Sequence, residues 1–143
     1  MPHLTNTIEI NASPDVVWAV LGDLAATRDW LPGTVDARVD GTTRVCVMAG
    51  GEEVHEQISD YSTRQRAYRW RHLRVPLPVR HSNGRYTVTP GGDGGAMVTL
   101  ETEFTPLDPA ATTEVTAMID AAFQQSLHAL RRWIEQGVRW DSA

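Results

Sequence analysis

The sequence predicts an α+β fold in which a curved, seven-stranded antiparallel sheet wraps around a long C-terminal helix. Two observations lead to this fold class. Between residues 34 and 105, apolar and polar residues alternate, and glycine or proline interrupts the alternation at short intervals, which is typical of an antiparallel meander. Residues 109–136 instead carry apolar side chains at every third or fourth position, which is typical of an amphipathic helix. A chain of 143 residues is long enough for one domain, and we expect residues 1–143 to form a single one.

The first 33 residues predict one strand followed by two short helices. Thr5–Asn11 alternates polar and apolar residues, as a half-buried strand does. Ser13 is a favourable N-cap and Pro14 suits the first helical position, so a helix begins there and ends near Gly22. A second short helix spans residues 24–29 and ends at the proline and glycine that follow it. The apolar stripe expected on the first helix consists of Val16, Val17, Val20 and Leu21, with Trp18 outside it.

Six further strands and the long helix complete the predicted fold. Turn residues divide the alternating region into strands at Thr34–Asp40, Arg44–Ala49, Glu53–Tyr61, Arg66–Arg74, Val79–Thr89 and Ala96–Thr105. The apolar positions of the long helix are Val115, Met118, Ile119, Ala122, Phe123, Leu127, Leu130, Trp133 and Ile134. Because a strongly curved sheet cannot collapse completely onto one helix, we expect a cavity between them where a ligand would bind.

The composition excludes several classes of function. All 13 basic residues are arginine, and the absence of lysine excludes Schiff-base chemistry and a P-loop. The single cysteine, Cys46, excludes an intrachain disulfide and a cysteine-based zinc cluster, and the five histidines have no metal-ligand spacing. The sequence also contains no dinucleotide-binding fingerprint. We therefore expect neither a metal nor a cofactor.

Charge and hydropathy suggest the partners and the location of the chain. A net charge of −5 argues against nucleic acid as a partner. The longest apolar run, Val16–Leu21, is far too short to cross a bilayer, so we expect no membrane insertion. The N-terminus shows no signal peptide, which favours a cytoplasmic location. The sequence does not indicate an oligomeric state.

Arginines are concentrated in one part of the chain. The segment 61–85 contains seven of them, from Arg64 to Arg85, and no acidic residue. It forms either a cationic surface for an anionic partner or a solvated strand face balanced by acidic neighbours. We favour the second interpretation because runs of charge usually keep an exposed face hydrated.

Strand alternation predicts which side chains face the cavity. Glu56 shares its face with apolar residues, and a carboxylate there is costly unless it is paired or protonated. His72 shares the inner face of the next strand with Trp70. The predicted ligand-binding residues are Trp30, Val54, Ile58, Tyr68, Trp70, Leu100, Thr102, Phe104, Met118 and Phe123.

The predicted catalytic residues are Glu56, His72 and Tyr86. If Glu56 and His72 approach each other at the cavity, they form an acid/base pair with coupled titrations. Because alternation turns the central arginines outward, the hydrogen-bond donor that we expect beside these two residues is a phenol, that of Tyr68 or Tyr86. The alternative is that Glu56 and His72 only satisfy the polar requirements of the interior, as many buried networks do.

An ordered set of segments carries a family resemblance over nearly the whole chain. The segments are Ile8–Trp18, Trp30–Gly33, Glu56–Asp60, Pro76–Val79, Val88–Pro90 with the glycine turn after it, and Phe104–Pro106. In this order they resemble the START-like, birch-pollen-allergen-like superfamily (SRPBCC-type proteins), and more closely its bacterial polyketide cyclase/dehydrase and lipid-transport branch. The resemblance implies a helix-grip fold with a hydrophobic ligand cavity, whereas function varies widely within the superfamily.

Three functions are compatible with these observations. The first, which we favour, is a carrier or sensor that binds a hydrophobic, aromatic or polycyclic small molecule in the cavity. The second is an enzyme resembling the aromatase/cyclases, which close polyketide rings by aldol reaction and dehydration. The third is a co-chaperone-like interaction domain that uses the arginine-rich face. A contact between Glu56 and His72 at the cavity separates the first two, and a continuous arginine-rich surface would favour the third.

Overall fold

Seven strands and two α-helices make up the structure, a computed structural model that describes residues 2–142. The strands are β1 (His3–Ile10), β2 (Thr34–Asp40), β3 (Thr43–Met48), β4 (Glu53–Ser62), β5 (Ala67–Arg74), β6 (Val79–Pro90) and β7 (Ala96–Pro106). The helices are α1 (Pro14–Leu21) and α2 (Thr112–Gln136), with short 3₁₀ segments at Leu24–Asp29, Gly92–Gly94 and Pro109–Ala111. The predicted strands and helices are confirmed, and the last 3₁₀ segment forms the first turn predicted for the long helix.

All seven strands pair in one antiparallel sheet, in the order β1-β7-β6-β5-β4-β3-β2. The two helices pack against one end of the order, α2 on β1 and β7, and α1 on β6 and β7. Their buried side chains join those of the sheet in a common core that includes Val17, Leu127 and Leu130. The predicted helix-grip arrangement is therefore confirmed, and the strands at the other end of the sheet are covered less by the helices.

Helix α1 begins at the predicted cap but buries a different face. The Ser13 side chain accepts a hydrogen bond from the Val16 N–H at 3.3 Å, whereas the Val16 side chain is 52% exposed. The prediction that Trp18 lies outside the buried stripe is wrong, because its ring packs against Tyr68 with 6.3 Å between centroids. A short helix in which most side chains are apolar has no unique stripe, so contact with the sheet selects the buried face. The residues that this face buries are Val17, Trp18 and Leu21.

Helix α2 runs to a left-handed cap at Gly137 (φ 66°), whose N–H donates to the carbonyl of Trp133 at 2.9 Å. The predicted apolar stripe is wrong at Met118, which is 43% exposed, and at Ala122, which is also exposed. At about 100° per residue, Met118 lies on the opposite side of the helix from Leu127, which is buried. The side chains that α2 buries are Val115, Ile119, Ser126, Leu127 and Leu130.

Acidic residues lie next to three of the seven arginines in the segment 61–85. Arg66 pairs with Asp15 at 2.7 Å, and Arg69, which is exposed as predicted, lies 3.4 Å from a carboxylate oxygen of Asp60. The register of β6 and β7 also places Glu101 directly opposite Arg85. Acidic neighbours thus balance these arginines, which favours the solvated-face interpretation over an interaction surface.

Two negative findings concern the part of the chain that the structure describes, residues 2–142. None of its helices combines the length and the apolar character that a membrane span requires. Within the same residues, no three histidine, cysteine, aspartate or glutamate side chains are grouped so that they could hold a metal ion.

Candidate ligand-binding site

A cavity of about 190 Å³ lies between the inner face of β3–β6, the region of residues 27–32 and α2. The loop that follows β5 completes its rim with Val75, Pro76 and Leu77. Three larger depressions, of about 500, 480 and 250 Å³, lie elsewhere on the surface. None of them is lined by Glu56, and of the three only the last is lined by His72. The smaller cavity is therefore the one that brings the predicted polar residues together.

Four aromatic side chains, Trp30, Trp70, Tyr86 and Phe123, form part of the cavity wall. Trp70 packs against Phe123 of α2 with 5.9 Å between centroids, and Trp30 meets Tyr86 edge to face at 6.3 Å. The Trp70 ring lies directly against Gly84 of β6, where an added Cβ would come within 2.3 Å of the ring. Glycine at this position therefore lets the indole lie flat against the sheet and leaves room for the cavity above it.

A row of polar side chains crosses neighbouring strands at the base of the cavity. Arg44, Glu56 and His72 line the cavity, and Ser82, which does not line it, continues the row. The strand registers place Arg44 of β3 opposite Glu56 of β4, and Glu56 opposite His72 of β5. His72 is in turn hydrogen-bonded through Nδ1 to Ser82 Oγ of β6. We call these four residues the polar row. Because directly opposed residues share one face of a sheet, antiparallel pairing is sufficient to bring them together.

Arg44 and Glu56 form a buried ion pair within the polar row. Arg44 Nε donates to Glu56 Oε1 at 2.9 Å, and the two side chains are 3% and 9% exposed. Arg44 Nη1 also donates to Thr27 Oγ1 at 3.0 Å and to Tyr68 Oη at 3.3 Å. Burial alone would lower the pKa of Arg44, but its interactions with Tyr68 and Glu56 raise that pKa above its ordinary value. Arg44 therefore remains a cation.

His72 is held as a neutral imidazole beside this ion pair. Burial lowers its pKa, and Arg44 lowers it further, while the Glu56 carboxylate opposes the shift. His72 Nε2 lies 3.7 Å from Glu56 Oε2, which is longer than a hydrogen bond. The two predicted acid/base residues are therefore neighbours at the cavity without being bonded to each other.

The other ionisable groups near the polar row are also neutral. Burial raises the pKa values of Tyr68 and Tyr86, so both remain phenols. Burial also raises the pKa of the Cys46 thiol to about 11. Cys46 lines the cavity but is not a thiolate, which is the nucleophilic form of cysteine.

The structure gathers some of the predicted site residues at the cavity and separates others from it. All three predicted catalytic residues line the cavity, as do four predicted ligand-binding residues: Trp30, Val54, Trp70 and Phe123. Five others are buried in the protein and do not line it: Ile58, Tyr68, Leu100, Thr102 and Phe104. Met118 lies at the surface of α2. The reason for the division is that α1 and α2 cover part of the inner face, and side chains beneath them form core contacts.

Sequence analysis missed Arg44, the residue that pairs with the predicted acid. The interpretation of strand alternation did not include β3, whose Arg44 and Cys46 line the cavity. A cation, Arg44, therefore lies at the cavity together with Tyr86, one of the two phenols predicted as hydrogen-bond donors. Thr27, Met48 and the rim residues Leu31, Pro32 and Val75–Leu77 were also missed. Met48 ends β3 and Thr27 lies in a 3₁₀ segment, whereas the rim residues lie in loops, which carry no alternation signal.

The fold and the cavity define a class of protein: a helix-grip domain with a cavity that combines aromatic and polar side chains. The family model described as polyketide cyclase / dehydrase and lipid transport matches residues 1–135, and the chain belongs to this family. The resemblance seen in the sequence is thereby confirmed. A search among curated proteins gave no match.

Solved structures share this fold at low sequence identity. The protein XoxI from Bacillus cereus superposes with a TM-score of 0.87 at 24% identity, over 95% of this chain and 97% of that one. The ZhuI aromatase/cyclase from Streptomyces sp. R1128 superposes with a TM-score of 0.74 at 20% identity, over 96% of each chain. A START superfamily protein from Mycobacterium smegmatis superposes with a TM-score of 0.79 at 13% identity, over 95% of this chain and 99% of that one. Similarity at this level shows the fold, not the reaction or the ligand.

Removing one member of the buried ion pair is expected to destabilise the protein more than removing both. Arg44→Met leaves the Glu56 carboxylate buried without its cation, a change that costs about 3–5 kcal/mol in comparable pairs. The double variant Arg44→Met/Glu56→Met removes both charges and is expected to recover more than half of that loss. Urea unfolding of the wild type, both single variants and the double variant measures these free energies. Strictly additive losses would contradict this prediction, because they would show no coupling.

The buried neutral His72 is expected to make stability depend on pH. Its pKa is lowered from 6.5 in the folded chain, mainly by burial and against the opposing charge of Glu56. The unfolded chain therefore binds the proton more readily, and the free energy of unfolding decreases as the pH falls below about 6.5. The variant His72→Gln lacks this contribution. Urea unfolding between about pH 8 and pH 5 measures the difference in the free energy of unfolding between the wild type and His72→Gln. We expect this difference to be constant near neutrality and to shrink in acid. A difference that stays constant over the whole range would contradict the prediction.

Proposed function

We propose that the protein binds a compact, hydrophobic aromatic molecule in the cavity and acts as its carrier or sensor. The observation that carries this proposal is the combination of an aromatic wall, formed by Trp30, Trp70 and Phe123, with a small polar row at the base. Small-molecule sites usually have this form, in which apolar burial supplies affinity and a few fixed polar groups supply orientation. Aromatic rings of the ligand would pack against the faces and edges of these side chains.

The volume of the cavity limits the size of the ligand. An apolar cavity of about 150 Å³ holds benzene, so one of about 190 Å³ suits one or two rings. Sites that enclose drug-sized molecules are larger, at about 300–1,000 Å³. A polycyclic ligand or an acyl chain would require the rim, including Pro76 and Leu77, to move outward. We therefore favour a compact ring system over the polycyclic ligand considered from the sequence.

A second candidate function is catalysis of aldol cyclisation or dehydration. The observation that favours it is the presence of a carboxylate, Glu56, beside the cation Arg44 and the neutral His72 at one cavity base. In such a reaction Glu56 would remove a proton α to a carbonyl, and His72 or Tyr86 would donate a hydrogen bond to the enolate. One relative of this fold, ZhuI, is an aromatase/cyclase.

One measurement on the natural material separates the two candidates. Native mass spectrometry of the protein purified from its own host would detect a retained compound, which extraction would then identify. A compound that returns unchanged after incubation supports the carrier. Formation of a cyclised or dehydrated product by the wild type but not by Glu56→Gln supports the enzyme.

Filling the cavity is expected to abolish binding of a two-ring probe. Phe123→Trp adds volume inside the cavity, and 2-naphthol is expected to bind at least about tenfold more weakly to this variant than to the wild type. Met118→Trp, on the solvent side of the same helix, is the matched control and should leave the affinity unchanged. Isothermal titration calorimetry measures both. Equal weakening in the two variants, or undiminished binding to Phe123→Trp, would argue against binding in this cavity.

A further inference from the structure

Two polar atoms at the cavity have no hydrogen-bond partner among residues 2–142: Glu56 Oε2 and His72 Nε2. They lie 3.7 Å apart, and their side chains are 9% and 10% exposed. Both residues line the cavity, and neither atom is among the fully enclosed side-chain atoms without a partner in the described chain. Both atoms are therefore accessible from the cavity, and a ligand could satisfy both at once.

The hydrogen-bond network assigns the proton of His72 to Nε2. Ser82 is buried, and within the described residues its hydroxyl contacts only His72 Nδ1. A buried hydroxyl that does not donate loses a hydrogen bond, so Ser82 donates and Nδ1 accepts. A neutral imidazole whose Nδ1 accepts carries its hydrogen on Nε2. His72 thus offers the cavity an N–H donor.

Glu56 offers the complementary acceptor. Arg44 Nε donates a hydrogen bond to Glu56 Oε1 at 2.9 Å, and the lone pairs of Oε2 remain open to the cavity. The charges of Arg44 and Glu56 cancel, and His72 is neutral, so the polar row carries no net charge. An anionic ligand would therefore meet no uncompensated cation in the polar row and would be repelled by the Glu56 carboxylate.

We propose that the cavity selects neutral aromatic alcohols, whose hydroxyl oxygen accepts from His72 Nε2 and whose hydrogen is donated to Glu56 Oε2. A hydroxyl is a compact group that both donates and accepts, and it can bridge two atoms too far apart to bond directly. An ether or a ketone would accept from His72 but leave Glu56 Oε2 unpaired, and a hydrocarbon would pair neither. This inference rests on the proposed binding function and adds the chemical class of the ligand.

A matched set of two-ring probes tests the inference on the wild-type protein. The set comprises 2-naphthol, 2-fluoronaphthalene, which has nearly the same shape but no donor, and 2-naphthoate, which is anionic. Because a hydrogen bond to a charged group contributes strongly, 2-naphthol is expected to bind about 10- to 100-fold more tightly than 2-fluoronaphthalene. We expect 2-naphthoate to be the weakest of the three. Calorimetric titration gives the affinities.

The variant Glu56→Gln tests which residue provides the selectivity. Arg44 requires an oxygen at the position of Oε1, so the amide nitrogen of the glutamine would replace Oε2 and present a donor instead of an acceptor. The preference for 2-naphthol over 2-fluoronaphthalene is expected to fall to less than about threefold, with little change for 2-fluoronaphthalene. Glu53→Gln on the same strand is the control, because Glu53 pairs with His55 and does not line the cavity.

Each outcome of this experiment decides one claim. A wild-type preference for 2-naphthol that is lost in Glu56→Gln and kept in Glu53→Gln supports the inference. Equal wild-type affinities for 2-naphthol and 2-fluoronaphthalene overturn it while the proposed binding function stands, and a preference retained in Glu56→Gln overturns the role of Glu56. Failure of all three probes to bind overturns the proposed function itself. If Glu56→Gln does not fold, the wild-type comparison still tests the ligand class.

Discussion

The buried ion pair between Arg44 and Glu56 is the interaction on which the cavity depends. Through Nη1, Arg44 also binds Thr27, so the same guanidinium joins the Leu24–Asp29 segment to the sheet and fixes the approach to Trp30, which follows that segment. Apolar side chains packed directly on the polar row would leave its free oxygen and nitrogen atoms without partners, at a cost of about 1–3 kcal/mol for each. The ion pair therefore stabilises the fold only if the cavity beside it can hold a polar group that binds these free atoms.

The helices divide the inner face of the sheet into a core and a site. Tyr68 packs under Trp18 of α1, and Phe104 packs with Val115 and Ile119 of α2, so these parts of the face form core contacts. The polar row lies beyond that cover and stays accessible. This division fixes where the cavity lies in this chain, while the chemistry of the cavity depends on the few side chains that cross its base.

The strands and the inward-facing residues on them could be predicted, because both follow from the periodicity of apolar residues in the sequence. Alternation and turn residues were sufficient for the seven strands, and they turned Glu56, His72 and Tyr86 inward, because those strands alternate clearly. Strand β3 gave no clear inner face, because Val45, Cys46 and Val47 are consecutive apolar residues without alternation. The register held a usable signal: Arg44 and Glu56 each lie six positions from Gly50, so a hairpin turn centred there places them opposite each other. The rim could not be predicted, because the position of a loop such as Val75–Leu77 depends on tertiary packing rather than on local pattern.

A crystal structure of the protein with 2-naphthol bound tests the central claim most directly, because it locates both the ring and the hydroxyl group. The account predicts a ring in contact with Trp30 and Trp70 and a hydroxyl oxygen about 2.6–3.2 Å from both Glu56 Oε2 and His72 Nε2. A ring bound in the cavity with its hydroxyl directed to the rim at Pro76 would contradict the role of the polar row. A molecule bound only outside the cavity would contradict the binding function as well.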